Sequence, residues 1–194
     1  MDYLDKAIGW ASNHGLKVWI DLHGAPGSQN GYDNSGHNGT VGWSTPDTTS
    51  ATRSVIQQIA NRYAKNQATV IGIELLNEPL LSKLPGGSDA LYQYYKDGYG
   101  DVRVVSDTPV VIHDAFQSAS ALNGVLPASS GDQNVIVDHH EYQCFTDAMV
   151  LEPQDVSLPD RVSYTVDFAN RLHRHISLRC APTLARMRTT QTIG

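Results

Sequence analysis

No stretch of this 194-residue sequence approaches the ~18–20 consecutive apolar residues that a membrane-spanning helix needs, so no membrane segment is expected. Basic residues are scarce. Lys and Arg number 14 against 20 Asp and Glu, for a formal charge of −6. Non-specific nucleic-acid affinity comes from clustered Lys and Arg, so that partner class is set aside. Cysteine is nearly absent: Cys144 and Cys180 are the only two, too few to define a disulfide framework, and they read as free thiols or as one bridge. There is no GxGxxG turn, and the glycine-rich stretch from Gly24 to Gly31 lacks the Gly-Lys-Ser/Thr ending of a phosphate loop, which excludes nucleotide binding. The opening Met1-Asp2-Tyr3-Leu4 has neither region of a secretory leader and enters a helical pattern at once.

What is present is ordinary globular composition, with 40% hydrophobic and 18% charged residues. Leu4, Ala7, Ile8 and Ala11 recur at helical spacing, and Gly15 supplies a left-handed stop. Residues 16–23 read as a strand, followed by a loop rich in Gly, Asn and Ser from Gly24 to Thr45. A helix is expected from about Asp47 to Asn66, with Val55, Ile56, Ile59, Ala60 and Tyr63 on one face. Strands are expected over residues 69–78, 109–116 and 134–142. A helix bearing Leu91, Tyr94 and Tyr95 separates the first two, and a last helix covers about 158–176. Near-continuous Val, Ile and Leu strands alternating with helices indicate a parallel sheet buried on both faces.

His23, Glu78, Asp114, His140 and Tyr142 all fall late in a strand or just after one. Active sites gather at that end of parallel α/β sheets, above all in (β/α)8 barrels. An open doubly wound sheet is the alternative. Asn77-Glu78-Pro79 is the chemical centre. A carboxyl group at the mouth of a barrel is desolvated, which predicts a raised pKa and the capacity to donate a proton to a glycosidic oxygen. Glu74 shares parity with Glu78 but lies deeper and reads as a paired interior charge. His139 faces away from His140, which argues against a two-His metal site. Trp10 and Trp19 read as core; Trp43, in the loop, is open. His113 and Asp114 read as strand anchors, and His173 and His175 as a solvated helix face. Asn38-Gly39-Thr40 is an N-glycosylation sequon in a glycine-rich loop.

Four segments together resemble the fungal exo-β-1,3-glucanases of glycoside hydrolase family 5. They are Asp21-Leu22-His23-Gly24-Ala25-Pro26-Gly27-Ser28-Gln29-Asn30-Gly31, Ile71-Gly72-Ile73-Glu74-Leu75-Leu76-Asn77-Glu78-Pro79, Ile112-His113-Asp114-Ala115-Phe116-Gln117 and Val137-Asp138-His139-His140-Glu141-Tyr142-Gln143. The likeness runs from about Tyr3 to His175. It implies a (β/α)8 TIM-barrel type fold, here strands three to six of eight, with residues 1–177 as partial barrel and 178–194 as a divergent basic tail. It further implies retaining hydrolysis of terminal β-1,3-glucosidic bonds, without metal or organic cofactor, in an extracellular or cell-wall protein, where the sequon offers Asn38 as a site for an N-glycan.

The resemblance assigns roles as well. Glu78 is the expected acid/base, and Asn77 the partner of the sugar 2-hydroxyl. His140 and Tyr142 point into the site, Tyr142 towards the nucleophile. His23, Tyr32, Asp33 and Asn34 bind or enclose sugar, and Phe145 lines the entrance. The pattern breaks after Ser177. The family's nucleophilic Glu ends a seventh strand, and no such strand is legible here; Glu141 and Glu152 are the nearby carboxylates, neither in a matching context. The sequence therefore reads as truncated at both ends. Two rivals follow: a non-catalytic glucan-binding remnant, and a family 5 enzyme with another linkage preference.

Overall fold

The structure is a computed structural model that describes residues 1–127, 130–140 and 142. The expected last helix, the tail, Cys144, Cys180, Phe145, Glu141 and Glu152 lie outside those residues. Among the described residues, three α-helices and four strands follow in the order α1 (Asp2–Asn13), β1 (Val18–Asp21), α2 (Pro46–Tyr63), β2 (Val70–Glu74), α3 (Gly87–Arg103), β3 (Val110–His113) and β4 (Val135–Asp138). The strands form one sheet in the order β1-β2-β3-β4, with every neighbouring pair parallel.

Register decides what each face carries, because laterally paired residues in a sheet share a side. Trp19 pairs with Gly72, Asp21 with Glu74, Glu74 with Val111, and His113 with Asp138. These positions form the inner face. The alternate positions, among them Ile20, Ile73, Val110 and Ile112, are buried with Leu91, Tyr94 and Tyr95 of α3 and Ile56 and Ile59 of α2 in one apolar cluster. Helix α3 approaches closely where Gly98 faces Leu75. A β-carbon there would lie 2.9 Å from the leucine Cδ1, so only glycine fits without a shift. Two tyrosines of α3 brace the strand ends from behind: Tyr94 donates its hydroxyl to the Leu75 carbonyl at 2.6 Å, and Tyr95 to that of His113 at 2.7 Å.

The periodic faces hold up except at Ala7, which is exposed. Ile8 and Ala11 are buried on α1 with Leu4 half-buried, and Ile56, Ile59, Ala60 and Tyr63 are buried on α2 with Val55 half-buried. Helix α2 starts with a capping box between Thr45 and Thr48, and with Pro46 at its first position. Two tryptophan expectations fail. Trp10 is 63% exposed, because it lies on the side of α1 away from Ile8 and Ala11. Trp19 is 42% exposed, because it belongs to the inner face of the edge strand beside Asp21 rather than to the helix-covered face. Trp43 is the tryptophan that enters the core: it is fully buried, donates to the Thr52 hydroxyl at 2.9 Å and meets Tyr94 edge-on.

All four strands stop short of their expected ends. β2 ends at Glu74, so Asn77 and Glu78 lie beyond the strand, and Glu78 has φ +46°. Ala115 and Phe116 after β3 are likewise left-handed, at +56° and +58°. Non-glycine residues in that region carry strain, which the surroundings must hold in place.

Candidate active site

The turn that carries Glu78 is held by buried amides from the loop after β1. Gln29, fully buried, donates from Nε2 to the carbonyls of His23 and Asn77, both at 2.9 Å, and accepts from Ala25 N–H at 3.1 Å. Asn30, also fully buried, donates to the Glu78 carbonyl at 3.2 Å and accepts from Tyr32 N–H at 2.8 Å. The Asn77 N–H bonds the Leu22 carbonyl at 3.0 Å. The loop can fold this tightly because Gly24 has no β-carbon; one placed there would lie 2.7 Å from the Ser35 carbonyl oxygen. Gln29 and Asn30 appear in the sequence as letters of a motif without a role. The signal that could have found them is chemical: two adjacent amides in a loop with little else to organise its backbone.

Three predicted residues meet on the carboxyl group of a fourth, Glu78. Asn34 donates to Glu78 Oε2 at 3.0 Å, His140 Nδ1 lies 2.6 Å from Oε1, and the Tyr142 hydroxyl also bonds Oε1. Tyr142 was expected on a nucleophile; here its hydroxyl engages the candidate acid/base. Asn77 adjoins the group, and its buried side-chain Nδ2 has no hydrogen-bond partner among the described residues. An amide donor left open beside Glu78 is suited to a ligand oxygen. His23, Tyr32 and Asp33 stand more exposed around the same mouth. His23 Nδ1 lies 2.6 Å from Asp21 Oδ2, and Asp33 accepts from Asn34 N–H at 3.0 Å.

The charge state of Glu78 departs from expectation. Burial pushes its carboxyl up, but the hydrogen bonds from Tyr142, His140 and Asn34 outweigh that effect and hold it below the usual carboxylate range. Burial instead raises Asp21 and, most strongly, Glu74, on the inner face beneath the site. Burial, with Asp21, Asp138 and Glu78 as its charged neighbours, lifts it to about 8. It has no ion-pair partner among the described residues, so it is a neutral acid at pH 7 rather than a paired charge.

His113 lies under the mouth, fully buried, its ring 4.6 Å from that of His140 and nearly perpendicular to it. Its Nδ1 accepts from Ala115 N–H at 2.9 Å, and burial lowers its pKa to about 4, so it is neutral with its proton on Nε2. Asp114 caps Phe116 N–H at 2.9 Å and bonds His139, whose ring thus serves a different carboxylate from that of His140. Donor atoms of Glu78, His113 and His140 lie within 4.8 Å of one another, close enough for a metal. The chemistry of the donors opposes one: His113 spends its lone pair on Ala115, and both His140 nitrogens already face carboxylates.

Residues 1–170 match the family model for Cellulase (glycosyl hydrolase family 5). The chain belongs to glycosyl hydrolase family 5. A glucan 1,3-beta-glucosidase of Blumeria graminis is 47% identical over 146 residues, which cover 75% of this chain and 34% of that protein. Glucan 1,3-beta-glucosidase 1 of Schizosaccharomyces pombe is 40% identical over 187 residues, covering 94% of this chain and 45% of its own length. The chain thus spans between a third and a half of these family 5 relatives. Among solved structures, rutinosidase from Aspergillus niger superimposes with a TM-score of 0.63 at 22% identity, over 78% of this chain and 45% of that one. At that identity the likeness shows the fold alone: the parallel sheet is part of a (β/α)8 barrel of the family 5 type.

Proposed function

We propose that this chain carries the acid/base half of a retaining glycoside hydrolase that acts on terminal β-1,3-glucosidic bonds of glucans. The observation that carries the reading is the convergence of Asn34, His140 and Tyr142 on Glu78, at the strand ends where barrel enzymes do their chemistry. Relatives 47% identical to this chain over about 75% of it are glucan 1,3-beta-glucosidases, which supports the linkage. Glu78 protonates the departing oxygen, then deprotonates the water that releases the sugar. Asn77, with its open amide donor, binds the sugar 2-hydroxyl. Retention requires a second carboxylate about 5–5.5 Å away to form the glycosyl intermediate. That neighbour would also raise the Glu78 pKa by like-charge repulsion, turning the resting carboxylate into a proton donor. His23, Tyr32 and Asp33 line the sugar pocket in this reading, and Phe145 its entrance. The protein acts outside the cell or in the cell wall, and Asn38, exposed in the loop after β1, carries a glycan.

The test is glucose release from laminari-oligosaccharides by the protein and by its Glu78→Gln variant, with binding measured alongside. Release that falls by about 10²–10⁴-fold in the variant supports the reading. A second reading, a glucan-binding piece without catalysis, draws on the fact that both Glu78 oxygens are occupied and the group is ionised at rest. Binding that survives Glu78→Gln, with no glucose released by either protein, would establish that one instead.

A further inference from the structure

The last residue of β1 and the last residue of β4 are both aspartates, and each is followed two positions later by a histidine that folds back onto it. At β1, Asp21 Oδ2 lies 2.6 Å from His23 Nδ1. At β4, Asp138 Oδ2 lies 3.0 Å from His140 Nε2, while the other nitrogen of that ring, Nδ1, lies 2.6 Å from Glu78 Oε1. His140 is therefore clasped between two carboxyl groups, one of them the candidate acid/base. We propose that Asp138 is a positioning residue for Glu78: by accepting the Nε2 proton of His140, it fixes the tautomer and leaves a single mobile proton between His140 Nδ1 and Glu78.

An ionised carboxylate can only accept hydrogen bonds. With Glu78 and Asp138 both ionised, both ring nitrogens must carry protons, and His140 is an imidazolium. With Glu78 protonated, its O–H donates to Nδ1 and His140 is neutral, with its proton on Nε2. The Nε2–H to Asp138 bond is common to both states. Only one proton moves, along the line from Nδ1 to Oε1, and it is neither created nor lost. Without Asp138, the neutral ring is free to keep its proton on Nδ1, where it meets Glu78 as a donor and cannot receive the carboxyl proton. The orienting role is the one an aspartate plays behind any catalytic histidine.

The charges around His140 agree with the geometry. Burial disfavours its cation, but the bonds to Glu78 and Asp138 more than offset this, and its pKa is raised. Asp21 on β1, its own carboxyl pushed up by burial, interacts with the ring more weakly, the neutral His113 on β3 packs beneath, and the Tyr142 hydroxyl lies 3.5 Å from Nδ1. Across the inner face, Glu74 on β2 is uncharged at neutral pH. The net field at the ring is negative, and Asp138 is the contributor that touches the nitrogen facing away from Glu78.

The experiment is a nitrogen-15 NMR titration of the histidine side chains in the full chain, with the His140 signal identified by its loss in His140→Gln. The proposal rests on the acid/base reading of Glu78 for its catalytic meaning, but the NMR readout does not need the chain to turn over. In the parent chain the midpoint should lie above 6.5, with the neutral form protonated on Nε2. Asp138→Asn should lower the midpoint by about one unit or more and bring in the Nδ1–H tautomer, and Asp138→Glu should restore both. An unchanged midpoint and tautomer in Asp138→Asn overturns the proposal. Glu78→Gln, which leaves Asp138 in place, must keep the proton on Nε2; an Nδ1–H tautomer there overturns it even where Asp138→Asn fails to fold. Where glucan is hydrolysed, Asp138→Asn should lower kcat at least tenfold with KM little changed and shift the pH profile. Loss confined to KM contradicts a positioning role.

Discussion

On the helix-covered side of the sheet, Ile20, Ile73, Val110 and Ile112 meet the apolar faces of α2 and α3, and the tyrosine hydroxyls that reach the sheet find backbone carbonyls. On the inner side, the same four strands end in Asp21, Glu74, His113 and Asp138. Each of three of those residues, and Asn77 beyond them, has a buried polar atom without a hydrogen-bond partner among the described residues: Asp21 Oδ1, Glu74 Oε1, His113 Nε2 and Asn77 Nδ2. Left-handed φ values at Glu78, Ala115 and Phe116 stand at that same end. One face is assembled for stability and the other tolerates strain and unsatisfied polar groups, the division expected where a fold carries a reactive site.

The comparison breaks hardest on the apolar side. Ile56, fully buried on α2, should cost about 2–5 kcal/mol when cut to alanine, measured by urea unfolding, because the surrounding helices relax only in part around the cavity. A loss near zero would mean that the helix–sheet layer is not the stabilising side.

On the polar side the sign reverses. Glu74 is raised from 4.5 to about 8, so between those values the folded chain holds a proton that the unfolded chain has released. Stability on this account is full below about pH 4.5, falls as pH rises through the window and levels off above about pH 8. Glu74→Gln removes the slope, and should stabilise the protein by on the order of 3 kcal/mol at pH 8 with little change at pH 4. Thermal midpoints at the two pH values check it; equal midpoint changes at both would show that Glu74 is not held neutral.

The smallest effect lies at the start of α2, remote from both faces. Thr45→Ala removes the side-chain acceptor of the capping box and should cost about 1 kcal/mol, with sugar binding unaffected.

The helices and the parallel order were legible in the sequence because periodic apolar faces and unbroken β-branched strands depend on neighbours a few residues apart. For the same reason, short motifs named Asn34, His140 and Tyr142, the candidates that the structure gathers around Glu78. What escaped depends on distant residues. Glu78 was expected to be raised by burial; the groups that lower it, Asn34, His140 and Tyr142, are 44, 62 and 64 positions away. Glu74 was expected to be paired, and only the register with Asp21 shows that its neighbour is another acid. The strand ends were overestimated because period-two parity carries on in sequence after the ladder has stopped, at Asp21, Glu74, His113 and Asp138. Trp10 and Trp19 were assigned to the core by residue type, whereas burial depended on which side of an element each occupied.

The measurement that bears most directly on Glu78 as acid/base is chemical rescue of Glu78→Ala in the full protein, using an aryl β-glucoside whose leaving group departs without protonation. The account predicts that such a substrate still forms the glycosyl intermediate, that hydrolysis of the intermediate is slow for want of a base, and that added azide accelerates turnover and yields a β-glucosyl azide. Turnover that azide leaves unchanged, or natural glucan cleaved by Glu78→Ala at the parent rate, would contradict it.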